Sequence, residues 1–313
     1  MTLDPSSLPP EFSLIHSIRN QAETRPEVLL GIGDDAAVID FGGRHCVAAL
    51  DVITEGTHFT SDTPPHLIGR KALAVNLSDL AAMAAEPSSA FIGLVLPKRR
   101  DRAYCEELYR GLFELAKETG TTIAGGDTNS WDGPLVLSVT VLGMSTKKGA
   151  ATRSGARPGD WLFVTGPLGG SLANGRHLTF TPRIREALAL QDTVDLHALI
   201  DLSDGLASDL FHITTSSDVG AIVDGHAIPI HSDVDPSLSP HERLHHALSD
   251  GEDFELLFAV SPEDGKQLVA SLPGDISLWK IGEVTEGTEV LLDFNGQRTP
   301  LQRTGWSHNF GTP

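Results

Sequence analysis

Lys71-Ala-Leu-Ala-Val-Asn-Leu-Ser-Asp-Leu-Ala-Ala-Met83 lies inside a run from Leu67 to Ala85 that is rich in alanine and leucine. Leu73, Leu77, Leu80 and Ala84 recur at helical spacing, so the run predicts a buried helix, ended by Pro87. Asp79 falls within it, where a carboxylate is costly to bury without a partner. Asn76 lies one turn earlier on the same face. An exposed stripe is the alternative, and Leu77, Leu80 and Met83 leave it narrow.

Four further segments set acidic residues among small ones: Gly31-Ile-Gly-Asp-Asp-Ala-Ala37, Gly125-Gly-Asp-Thr-Asn129, Asp201-Leu-Ser-Asp-Gly205 and Ser249-Asp-Gly-Glu-Asp253. Small neighbours let backbone approach a ligand, and carboxylates are the hard oxygen donors that Mg²⁺ prefers. Gathered in one site they would repel one another unless cations sat between them. Each has a plainer reading alone: Asp34 or Asp35 as a turn cap, Ser203 or Asp204 as a helix N-cap. Together they point to metal-bridged phosphate chemistry.

At 313 residues the chain has room for two domains of about 150 residues each. Its composition, 40% apolar and 21% charged, is that of a globular protein. With 23 basic and 42 acidic residues the net charge is −19, a poor match for nucleic acid or an anionic membrane. Bound metal would have to reverse that field locally for anionic phosphates to approach. Cys46 and Cys105 make no metal or redox spacing, which fits a reduced cytoplasm. Met1 to Glu11 shows no signal-peptide pattern, and apolar runs such as Leu135 to Leu142 are strand-sized.

Helical patterns cover Glu11 to Thr24, the stretch marked by Tyr104, Leu108, Leu112 and Leu115 with Gly120 as its C-cap, and Asp264 to Leu272. Strands are expected at Val28 to Ile32, His45 to Val52, Ala90 to Leu96, Leu135 to Leu142, Trp161 to Thr165 and Glu255 to Val260. A further strand, Thr121 to Ala124, would deliver Asp127 at its end. The polar, basic stretch Lys147 to Pro158 marks a boundary between domains 1–146 and 147–313. Both halves mix helix and strand. No Gly-x-x-x-x-Gly-Lys-Ser/Thr loop, protein-kinase His-Arg-Asp signature or Gly-x-Ser-x-Gly elbow occurs. Gly166-Pro-Leu-Gly-Gly-Ser171 reads as a tight turn before a phosphate loop, and His241, His245 and His246 as a solvated helix face.

The ordered motifs resemble the thiamine-monophosphate kinase family, within the aminoimidazole ribonucleotide synthetase superfamily. Besides the acidic segments, they include Glu11-Phe-Ser-Leu-Ile15, Glu55-Gly56 with His58-Phe59, Thr152-Arg-Ser-Gly-Ala156, Pro158-Gly-Asp160 and Gly251-Glu-Asp-Phe-Glu-Leu256. The resemblance implies an N-terminal α/β domain that dimerises through its sheet and a C-terminal α+β domain. It implies transfer of the γ-phosphoryl of ATP to thiamine monophosphate in a homodimer. Carried over, Asp35, Asp51, Asp79, Asp127, Asp201 and Asp204 would ligate Mg²⁺. Gly126, Arg153 and Ser203 would contact ATP, and His58, Glu252 and Trp306 the thiamine phosphate. Three departures stand out: Ala49-Leu50 where the family has hydroxyls, a stretch from Gly170 to Pro182 shorter than in many relatives, and Asp250 where glycine is common.

Overall fold

A computed structural model describes residues 10–23, 25–271 and 276–306. Thr24 and Leu272, the predicted ends of two helices, lie outside these residues, as do residues 1–9. The first half runs α1 (Pro10–Gln21), β1 (Val28–Leu30), β2 (Ala37–Asp40), β3 (His45–Thr54), α2 (Pro65–Ala82), β4 (Ala85–Pro97), α3 (Arg102–Thr119), β5 (Thr122–Trp131) and β6 (Val136–Ser145). Its six strands form one sheet in the order β1-β2-β3-β6-β4-β5, with only β4 and β5 parallel.

The second half contains β7 (Trp161–Val164), α4 (Ile184–Thr193), β8 (Leu196–Asp201), α5 (Leu206–Ser217), β9 (Gly220–Asp224), α6 (Pro240–Ser249), β10 (Leu256–Val260), α7 (Pro262–Ala270), β11 (Trp279–Thr285), β12 (Val290–Phe294) and β13 (Gln297–Pro300). These strands form a second sheet in the order β13-β12-β9-β11-β7-β10-β8. The mixed architecture expected from the sequence, two sheets each with helices, is the one found. The pattern did not announce α4, β12 and β13.

Alternation along β3 sets the geometry of the first sheet. Val47, Ala49 and Ile53 are buried on the face that meets α2, while Leu50 (59% exposed) and Val52 (47%) face the other way. Buried α2 packs on that sheet and on α3, and it also reaches α4 and β8 of the second half. A Cβ on Gly69 would overlap the carbonyl of Leu108, and one on Gly111 that of His66, so the two glycines let α2 and α3 cross in close contact. Ala81 and Ala84 complete a cluster with Phe163 and Phe258 of the second sheet. Conversely, Phe180 and Phe254 of the second half stack 4.1 Å apart within the core of the first. A helix buried on both sides explains why its polar residues all need partners.

Two local expectations are corrected. Pro87 does not end α2: the helix stops at Ala82, Ala84 takes a left-handed turn at φ 46, and Pro87 lies inside β4. Likewise Asp127 is not at a strand end. β5 continues to Trp131 because the long β4 pairs with it residue by residue, overriding the weak strand propensity of Gly125-Gly-Asp127. Gly120 does cap α3, with φ 70. Among the described residues, no helix is long and apolar enough to cross a membrane.

Candidate functional site

Aspartates from four elements converge beside α2. Asp79 of α2, Asp35 from the turn after β1 and Asp201 at the end of β8 each present a carboxylate oxygen within 4.8 Å of the other two. Asp201 is fixed by Ser78, whose Oγ donates to Oδ2 at 2.5 Å. Asp51 of β3 is fixed through its backbone, its N–H donating to Asn76 Oδ1 at 2.9 Å. Asn76 thus ties β3 to α2, a role beyond its expected place next to Asp79.

The guanidinium of Arg153 is committed to Asp35, Nε donating to Oδ2 at 3.1 Å and Nη2 to Oδ1 at 2.5 Å. Its backbone N–H also donates to Asp34. Burial works against this cation, yet Asp35, Asp34 and Asp201 hold its pKa above the usual arginine range. One arginine does not balance so many carboxylates. Burial, then the charge of Asp35, pushes both Asp34 and Asp51 up to about 6. The same two causes raise Asp201 to about 8. Asp79 is raised well above the usual range by burial and by Asp51, Asp201 and Asp35. Crowded, buried, oxygen-only and short of positive charge, the donor set fits a hard divalent cation.

Asp204 belongs to a second group, with Asp209 and His212, whose ligand atoms also lie within 4.8 Å of one another. Here α5 starts without a capping side chain at Gly205. Asp209, from its first turn, accepts from the N–H groups of Asp204 and Gly205, both at 3.1 Å. Neither Ser203 nor Asp204 acts as the cap.

A cavity of about 980 Å³ is lined by Asp35, Asp51, Asp79, Asp201, Asp204, Arg153 and Ser203, and also by Phe12 and Arg19 of α1. Its size lies at the upper end of the range of about 300–1,000 Å³ common for ligand pockets. A smaller cavity of about 220 Å³ brings together His58, Glu252 and Trp306. Asp51, Ser203 and Asp204 line both. His58 Nδ1 accepts from the Thr54 N–H at 3.1 Å, so the neutral ring carries its proton on Nε2. The backbone N–H of Trp306 donates to the Asp204 carbonyl at 3.1 Å, seating the C-terminal segment on the Asp201–Gly205 turn.

Gly126 and Asp127 line neither cavity. Asp51, Val139, Ile92 and Gly126 stand in one row across the sheet. Three strand spacings of about 4.8 Å put Gly126 about 14 Å from Asp51. Asp127 pairs in register with Gly93, on the face that carries Leu50, Val52 and Phe91.

The glycine-rich turn behaves as a turn. Gly169 N–H donates to Asp253 and Gly170 N–H to Asp250, leaving those donors unavailable to phosphate. Asp250, the departure from the family pattern, is also met by His246 Nδ1 at 2.9 Å. The sequence reading missed Lys71, Ser78 and Asn76 as working residues. Their signal was the one that singled out Asp79, a polar group inside an apolar helix.

Fold and site together define an AIR synthase related protein. The N-terminal domain model of that family matches residues 33–145 and the C-terminal domain model residues 157–293. The chain belongs to the thiamine-monophosphate kinase family. It is 42% identical to the thiamine-monophosphate kinase of Rhodopirellula baltica over 289 residues, covering 89% of this chain and 90% of that one. It is 38% identical to that of Escherichia coli K12, covering 97% and 99%. Among solved structures, AaThiL complexed with AMPPCP and TMP superposes with a TM-score of 0.83 at 29% identity, covering 96% of this chain and 97% of that one.

Proposed function

We infer that this chain transfers the γ-phosphoryl group of ATP to thiamine monophosphate, yielding thiamine diphosphate and ADP. The observation that carries this reading is the pair of cavities meeting at Asp51, Ser203 and Asp204, a large acidic one and a small one holding His58, Glu252 and Trp306. A donor and an acceptor occupying them would bring their phosphates together at the shared wall. The relatives' names and the structure with AMPPCP and TMP bound support the same assignment.

Asp35, Asp79 and Asp201 would hold Mg²⁺, with Asp51 and Asp204 beside them. When bound, the cation supplies charge neutralisation between two polyanions and fixes their alignment. The acceptor is a phosphate monoester with a second pKa of about 6, already ionised at neutral pH, so no side chain is assigned as general base. Glu252 offers a carboxylate to the thiazolium cation, and the Trp306 ring a face for stacking or cation–π contact. His58, on the lining of the smaller cavity, would contact the acceptor phosphate. Transfer is direct and in line, without a phosphoenzyme. Incubating enzyme, Mg²⁺, ATP and thiamine monophosphate and separating the products tests the assignment: no diphosphate at saturating substrates overturns it. An acid-stable or alkali-stable phosphoprotein formed with ATP alone overturns direct transfer.

We further propose a cytoplasmic homodimer. Leu50, Val52 and Phe91 (43% exposed) give the first sheet an apolar outer face, and Asp127 stands on that face. A second copy packed there would supply Gly126 and Asp127 to a neighbouring acidic cavity. The two free cysteines suit a reducing compartment.

A further inference from the structure

Lys71 is wholly buried, its side chain 0% exposed, behind the smaller cavity rather than on its lining. Its Nζ donates to Glu252 Oε2 at 2.5 Å and to the His58 carbonyl at 2.9 Å. The two partners come from opposite halves of the chain, and both line the smaller cavity. Among the described residues Lys71 takes Oε2 of Glu252, and no protein donor takes Oε1.

The segment that carries Glu252 needs such a hold. Glu252 and Phe254 both adopt left-handed backbone, φ 53 and φ 51, a conformation costly for residues with a side chain. Backbone bonds tie Glu252 N–H to the Ser203 carbonyl at 2.7 Å and its own carbonyl to Ser171 Oγ at 2.6 Å. Those bonds fix the main chain and leave the carboxylate free to rotate. The buried ammonium is what fixes the carboxylate.

We propose that Lys71 is a positioning residue for acceptor recognition: by holding one oxygen of Glu252 and the His58 turn, it presents the other oxygen to the cationic acceptor. The inference rests on reading the smaller cavity as the thiamine monophosphate pocket. A purely structural ion pair between the two halves is the competing account. It predicts that losing Lys71 harms both ligands alike.

The test uses the full-length chain and a mutant cycle of Lys71→Met, Glu252→Gln and the double variant. Thiamine monophosphate and Mg²⁺-AMPPCP are titrated separately by calorimetry, and turnover is followed in parallel. Wild-type enzyme without diphosphate product would sink the functional reading itself, independently of Lys71. Given wild-type turnover, Lys71→Met should weaken thiamine monophosphate binding about tenfold or more, as expected for loss of a charge-assisted hydrogen bond. Mg²⁺-AMPPCP binding should change by less than about twofold. The double variant should bind thiamine monophosphate no worse than Glu252→Gln alone, because Lys71 acts through that carboxylate. It removes both members of the ion pair together and leaves no unpaired charge, so it reports even if Lys71→Met fails to fold. Equal weakening of both ligands, tighter acceptor binding in Lys71→Met, or a double variant about tenfold worse than Glu252→Gln overturns the proposal.

Discussion

Asp201 shows what a single carboxylate does in this site. Burial, then Asp35, raises it from 3.8 to about 8. The folded protein therefore binds this proton more tightly than the unfolded chain. Its stabilising contribution is complete below about pH 4 and is lost as pH climbs through about 8. Without metal, the melting temperature of the wild type should fall between about pH 5 and pH 8.5, and more steeply than that of Asp201→Asn. Calorimetric scans across that range check this, and parallel slopes would contradict it. Adding Mg²⁺ should flatten the wild-type profile, because the cation takes the proton's place. Ser78 acts one step out, through its 2.5 Å bond to Asp201. Ser78→Ala should lower Mg²⁺ affinity or kcat/KM by about 10–100-fold with the fold intact, as losing support for a metal ligand does. Mg²⁺ titration of turnover, with circular dichroism as control, measures it.

At the scale of elements, α2 organises the site. It supplies Asp79 directly, Ser78 for Asp201, Asn76 for Asp51 and Lys71 for Glu252. Its crossing with α3 depends on Gly69 and Gly111, so a methyl group at either must push the helices apart. Gly69→Ala should destabilise by about 1–3 kcal/mol and reduce turnover, though it touches no ligand. Urea unfolding and kinetics on one preparation test both effects. The helix itself and its odd aspartate were legible because a continuous apolar pattern makes a polar exception visible. The stop at Ala82 was not, since a left-handed alanine is held by tertiary packing and leaves no mark of its own. Nor was the reach of β5: pairing with β4 is long-range, whereas Gly125-Gly126 is a local breaker. That mistake placed Asp127 at a strand end instead of on the outer sheet face.

Across the whole molecule, the two halves are bound together by α2, by the Phe180–Phe254 stack and by the Lys71–Glu252 pair. Sequence motifs named residues from both halves, but their sharing of two adjoining cavities emerges only from folding. Mg²⁺-ATP should raise the melting temperature of the wild type, and Asp79→Ala should abolish the shift. An unchanged shift in the variant would rule out the shared metal site. If a second copy supplies Asp127, mixing inactive Asp79→Ala and Asp127→Ala chains through subunit exchange should recover about a quarter of wild-type activity. Persistent inactivity, with heterodimers demonstrated by mass, would exclude that arrangement. The crowding of Asp35, Asp79 and Asp201 also has a consequence for protein engineering. A library screened for heat resistance in buffer alone would enrich replacements of these carboxylates, hardening the scaffold while silencing it. The same library screened with Mg²⁺ and nucleotide would rank those replacements last.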